Sequence, residues 1–98
     1  MTVAIYDIGE NRGRLKVEAV LRNYGLRRIQ YSVFRGRINA DDRALMVNEL
    51  TSLNPKNKEG AWDIQVYIIS EDDFLSHIRM NKEGPISDLM DEQEVVII

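Results

Sequence analysis

Cysteine is absent from this chain and histidine occurs once, as His77. Without thiols there are no disulfides and no thiolate nucleophile, and zinc would lack its preferred ligands. That absence fits a cytoplasmic protein, which is the expectation. The lone His77 sits in a short late helix, far in sequence from the basic residues, and reads as a surface or packing residue rather than a base. Ser32 and Ser52 therefore have no histidine partner to activate them. Glycine is thin as well: Gly9 and Gly13 are too sparse for a dinucleotide or Walker phosphate loop. No apolar run approaches the roughly 20 residues of a membrane helix, and Met1-Thr2-Val3-Ala4-Ile5-Tyr6-Asp7 has no basic leader, so neither span nor signal peptide is expected. Any hydrolytic chemistry must then rest on carboxylates and a hard, oxygen-ligated cation, Mg²⁺ or Mn²⁺.

What is present is the composition of a soluble globular domain, 44% hydrophobic and 30% charged over 98 residues. A chain this short buries only roughly 60–70% of its unfolded surface, so association with a second copy would help it. The net charge of −3 conceals an asymmetry. Residues 1–43 carry nine basic and five acidic groups, a balance of +4, and the remainder carries four basic and eleven acidic groups, a balance of −7. The asymmetry reads either as a nucleic-acid-facing side or as arginines solvating helix and strand edges.

The pattern of elements is legible. Val3, Ile5 and Asp7 alternate with Ala4, Tyr6 and Ile8, and both sets are largely apolar, which predicts a central strand covered on both faces. From about Arg12 to Tyr24, Val17, Val20, Leu21 and Tyr24 form a helical stripe, with Arg14, Glu18 and Arg22 at i+4 steps on another face, where they can alternate as ion pairs. Gly25 follows as the stop. Arg27 to Ile38 favours strand, a run long enough for two pairing strands or one strongly bent strand, with Ser32 as the expected break. Asn39 reads as the cap of a second helix carrying Met46, Val47, Leu50 and Leu53. Asn54 to Gly60 is a loop, and Trp62, Ile64, Val66 and Ile68 give a strand with one core face. Ser70 caps a short helix with Phe74, Leu75 and Ile78. Asn81 to Gln93 is expected to be loop or a turn of helix, and Val95–Ile98 to add a strand to a sheet edge, its own or a partner's. The order β-α-β-β-α-β is that of α+β, ferredoxin-like folds.

Asp7 is the carboxylate that calls for explanation, because Asp is disfavoured in strands. It either caps the turn at Gly9 or pairs with an arginine, or it holds a divalent cation together with Asp7 of a second copy across a two-fold axis. Phe34 is either core or a ring that stacks on a base. Arg28 and Arg35 flank the aromatic run, and guanidinium groups suit phosphates.

Tyr6-Asp7-Ile8, Arg14-Leu15-Lys16, Tyr24-Gly25 and Arg28-Ile29-Gln30-Tyr31-Ser32-Val33-Phe34-Arg35-Gly36 together resemble, in order and spacing over about residues 1–69, the CRISPR-associated protein 2 family of small spacer-acquisition proteins. The resemblance implies a ferredoxin-like βαββαβ core over about 1–69, then a short helix, loop and edge strand to residue 98. The whole forms one domain whose last strand is exchanged in a homodimer. It implies that Asp7 is the catalytic, metal-associated acid, sharing Mg²⁺ (or Mn²⁺) with its dimer mate. Arg14, Lys16, Arg28 and Phe34 match positions of nuclease activity or nucleic-acid contact. The implied function is a dimer that bridges the CRISPR integrase (protein 1) and carries double-stranded DNA. Endonuclease activity on RNA or double-stranded DNA varies among members. Many members carry additional acids after the first strand, where this chain has Gly9-Glu10-Asn11, which leaves Glu10 as the helper. Residues 70–93 lie outside the shared motif. Two other readings stay open. One is a stand-alone ribonuclease of the related toxin type. The other is a ferredoxin-like RNA-binding or regulatory module, although Val33-Phe34-Arg35-Gly36 lacks that module's paired aromatics.

Overall fold

The computed structural model describes residues 1–55, 60–81 and 84–86. The chain divides into two compact units, Met1–Ile68 and Ile69–Ile98. The first holds β1 (Thr2–Ile8), α1 (Asn11–Asn23), β2 (Arg27–Gln30), β3 (Val33–Gly36), α2 (Ala40–Ser52) and β4 (Trp62–Ile68). The sheet order is β2-β3-β1-β4, every neighbouring pair antiparallel. This is the α+β, ferredoxin-like arrangement.

The period of two in β1 assigns its faces. Ala4, Tyr6 and Ile8 enter the core with Phe34 of β3, Val17 and Leu21 of α1, Met46 and Leu50 of α2, and Leu26. Val3, Ile5 and Asp7 point to the other face. Register across the sheet sets Val33, Arg35, Asp63, Gln65 and Tyr67 beside them. Trp62, Ile64 and Val66 lie on the core side, half-buried, whereas Ile68 is exposed, contrary to its expected place in the core stripe.

The helix ends follow local chemistry. The Glu10 carboxylate accepts from the Gly13 N–H at 3.1 Å and so caps α1. Gly25, with φ +89°, ends the same helix in the left-handed region. Asn39 Oδ1 accepts from the Asp42 N–H at 2.7 Å at the start of α2, as its position predicts. Tyr31-Ser32 is the two-residue turn between β2 and β3, because Gln30 pairs with Val33. Gly36 closes β3 where only hydrogen fits: a Cβ there would lie 3.0 Å from both the Gly25 carbonyl oxygen and Leu26 Cα.

The second unit contains α3 (Glu71–Leu75), β5 (Arg79–Asn81) and β6 (Gly84–Ile86). Ser70 Oγ accepts from the Asp73 N–H at 3.0 Å, the expected cap. Ile78 falls beyond the helix and is exposed. The His77 ring rests against Phe74, centroids 5.0 Å apart, which makes it a packing residue. Where loop was expected, residues 84–86 pair antiparallel with β5. The edge strand expected over Val95–Ile98 lies outside the described residues. Among the described residues no helix is long and apolar enough to cross a membrane.

Candidate nucleic-acid interface

The C-terminal end of β1 gathers most of the residues singled out by sequence. Ser32 accepts from the Tyr6 N–H through its carbonyl at 3.1 Å, which brings the β2–β3 turn beside Tyr6 and Asp7. Arg14 reaches the same end from α1. Its Nη1 donates to the Ile8 carbonyl at 3.1 Å and its Nη2 to Asn11 Oδ1 at 2.6 Å. Arg28 reaches it from β2 and donates through Nη1 to the Tyr31 carbonyl at 2.6 Å.

Beneath Arg28 lies the carboxylate of Glu18, expected to pair with its i+4 neighbours on another face of α1 than the apolar stripe. Glu18 is only 4% exposed. Its Oε1 is 2.8 Å from Arg28 Nη2 and 3.9 Å from Arg22 Nη2. Its Oε2 accepts from the Tyr6 hydroxyl at 2.5 Å, and that hydroxyl also lies 3.2 Å from the Tyr31 carbonyl. A buried carboxylate is tolerable only when paired and hydrogen-bonded, and here it is both. The signal was present in the sequence. Glu18 stands three residues before Leu21, on the same face of the helix, and an acid on that stripe must be buried with a partner.

Burial, then the hydrogen bond and charge of Glu18, push the Tyr6 phenol far above its ordinary value, and the nearby Arg28 and Arg14 offset this only in part. An unfolded tyrosine ionises near pH 10. The folded chain holds Tyr6 neutral beyond that point, so its contribution to stability is complete below about pH 10 and is lost as pH rises further. We expect a phenolate absorbance titration to show one tyrosine ionising only as the domain unfolds, and Tyr6→Phe to abolish that late step.

The structure places the predicted site residues unequally. Asp7 is exposed on the sheet face away from the helices, in register with Asp63 of β4. Gln65 donates to Asp63 Oδ2 at 3.1 Å, and Tyr67 donates to Gln65 Oε1 at 2.5 Å, which orders that face. Asp63 went unnoticed in sequence because only strand register makes it a neighbour of Asp7. Among the described residues no group of three or more His, Cys, Asp or Glu converges on one point. Two carboxylates on one face nonetheless fit Mg²⁺, which keeps several waters. Glu10, the expected helper, is instead occupied by the cap of α1.

Lys16 is exposed and lines a cleft of about 490 Å³ with Glu10, Gly13, Leu53 and Trp62. Arg14 is directed elsewhere, to the Tyr31 side of α1. Arg35 is almost fully buried and so offers no guanidinium to a phosphate in solvent. Phe34, expected as a nucleic-acid contact, is 0% exposed, and a base has no access to it. Its ring carries Arg22 and Arg28, whose guanidinium carbons lie 5.3 and 5.2 Å from the centroid. At this end of β1 an aromatic that does reach solvent is Tyr31, 66% exposed.

A family model described as CRISPR associated protein Cas2 matches residues 1–76. A protein of Pyrobaculum aerophilum named CRISPR-associated endoribonuclease Cas2 2 is 37% identical over 83 residues, which are 85% of this chain and 88% of that protein. An Archaeoglobus fulgidus protein named CRISPR-associated endoribonuclease Cas2 1 is 35% identical over 48 residues, 49% of this chain and 51% of its own, so the match spans about half of that relative. A Thermoproteus tenax protein named as a fusion of CRISPR-associated endonuclease Cas1 and endonuclease Cas2 is 33% identical over 84 residues, 85% of this chain and 30% of the fusion.

Proposed function

The chain belongs to the CRISPR-associated Cas2 family, and from that premise we propose that it is a dimeric nucleic-acid-binding component of CRISPR spacer acquisition. In this reading the dimer bridges the CRISPR integrase, carries duplex DNA, and has metal-dependent phosphodiesterase activity. The observation that carries it is the meeting of Arg14 and Arg28 around an exposed Tyr31 at the Asp7 end of β1. The Cas1/Cas2 fusion among its relatives supports Cas1 as the partner. The endoribonuclease names of other relatives support RNA as a second substrate.

Two copies apposed through the face that bears Val3, Ile5 and Asp7 bring identical carboxylates together. Asp7, with its mate and with Asp63 beside it, would hold Mg²⁺ or Mn²⁺. When bound, such a cation supplies a Lewis acid and neutralises charge on a scissile phosphate. Arg14 holds the phosphodiester backbone without reading base edges, and Lys16 adds a separate cation at the cleft it lines with Glu10 and Trp62. Arg28 acts at shorter range, since part of its charge is already matched by Glu18.

The deciding comparison is wild type against Asp7→Asn on RNA and duplex DNA with Mg²⁺, with Cas1 association measured in parallel. We expect cleavage to fall on the order of 100-fold. DNA binding and Cas1 association should persist, with DNA affinity in the wild type falling steeply with salt. An Asp7→Asn protein that cleaves like wild type removes Asp7 from catalysis. A wild type that binds neither Cas1 nor DNA removes the adaptor role.

A further inference from the structure

Tyr31 presents a large aromatic ring in a hairpin turn, outside the core cluster. It is the first residue of a two-residue hairpin turn, a position dominated by Gly, Asn and Asp. The residue is 66% exposed and does not join the core. The guanidinium carbons of Arg14 and Arg28 lie 5.8 and 5.9 Å from the ring centroid.

The surrounding bonds fix this arrangement before any ligand arrives. The Tyr31 carbonyl accepts from Arg28 at 2.6 Å and lies 3.2 Å from the Tyr6 hydroxyl. Arg28 is held in turn by buried Glu18, and Arg14 by the Ile8 carbonyl and Asn11. All these contacts to Tyr31 except the two cation–π contacts run through its backbone, so they survive replacement of the side chain.

We infer that Tyr31, flanked by Arg14 and Arg28, is a stacking platform for an unpaired base of a bound nucleic acid. The proposal rests on the nucleic-acid reading above and adds the class of structure recognised. A solvent-exposed ring beside two guanidiniums offers a base a stacking surface next to cations that suit its phosphates. Inside a duplex every base is already stacked, so a single ring of this kind engages only a single-stranded segment or a frayed end. Tyr and Arg are also the residues that anchor protein partners, and the test must separate the two.

Wild type, Tyr31→Ala and Tyr31→Phe are compared on a blunt duplex and on the same duplex extended by a single-stranded overhang containing 2-aminopurine. Circular dichroism confirms the fold of each variant. The expected result is that wild type prefers the overhang probe and quenches 2-aminopurine. Tyr31→Ala should lose about 5- to 100-fold on that probe, with a smaller loss on the blunt one and no quenching, and Tyr31→Phe should retain both. Equal affinities of wild type and Tyr31→Ala for the overhang, or equal losses on both probes, would overturn the proposal. Unchanged nucleic-acid binding with lost Cas1 association would overturn it in favour of a protein contact. A wild type that binds neither probe would refute the underlying nucleic-acid reading itself.

Discussion

Phe34→Ala is expected to destabilise the protein by about 3–5 kcal/mol, the range for truncating a buried phenylalanine. Domains of this size have only roughly 5–15 kcal/mol in total, so a large fraction of the variant should be unfolded at moderate temperature. The ring is 0% exposed and packs in the cluster formed by Ala4, Tyr6, Val17, Leu21, Leu26, Met46 and Leu50. The Tyr6 ring lies 6.2 Å away, centroid to centroid, and Arg22 and Arg28 cover the ring from α1 and β2. Truncation therefore opens a cavity and also removes the surface on which two guanidiniums rest. Loss of nucleic-acid binding in this variant would follow from the loss of the fold. Phe34→Leu separates the two causes, because it keeps most of the buried apolar volume and should cost under half of what Phe34→Ala costs, about 1–2 kcal/mol. Urea denaturation and DNA binding measured on the same samples make the check. A folded Phe34→Leu protein that binds like wild type shows that the ring acts through packing. A folded one that has lost binding as fully as Phe34→Ala would restore Phe34 to the interface.

The fold was legible because each element carries its own local signal. Gly25 and Asn39 announce helix ends through backbone conformation and a side-chain acceptor, and the double alternation of β1 announces a central strand. The length of the Arg27–Ile38 run points to two strands or a bent one with a break at Ser32, and the turn is Tyr31-Ser32. The site was less legible, because its content lies in pairings that no local pattern encodes. Asp63 meets Asp7 only through the β1–β4 register, and Tyr31 meets Arg14 only once α1 has docked beside the turn. Glu18 shows how a correct periodicity can still mislead. Its i+4 spacing to Arg14 and Arg22 is real, yet the helix rotates it inward and its strong partner is Arg28, ten positions on in another element. Residues 84–86 read as loop because Gly84-Pro85 is a turn signal, and strand pairing with β5 overrides it.

Glu18→Ala is expected to cost roughly 2–4 kcal/mol, somewhat below the 3–5 kcal/mol for breaking a fully buried pair. The discount reflects Arg28, whose side chain is 35% exposed and regains some hydration when its partner is lost. Glu18→Gln should cost less, since the amide oxygen can still accept from the Tyr6 hydroxyl, but it leaves the Arg28 charge unmatched. That difference reports on what Arg28 does in the wild type. If Glu18 holds Arg28 inward, Glu18→Gln adds an unmatched cation to the surface that meets phosphate. DNA binding should then tighten at low salt, and the slope of log affinity against log salt should steepen by about 0.9, the value for one further phosphate contact. Arg28→Met in the wild-type background should lower stability more than it lowers affinity. The Glu18→Met, Arg28→Met double variant should recover much of the stability lost by either change, because removing both charges removes the uncompensated one. A Glu18→Gln protein with an unchanged salt slope would mean that Arg28 already contacts phosphate despite its buried partner. Glu18 would then orient a binding arginine instead of restraining it.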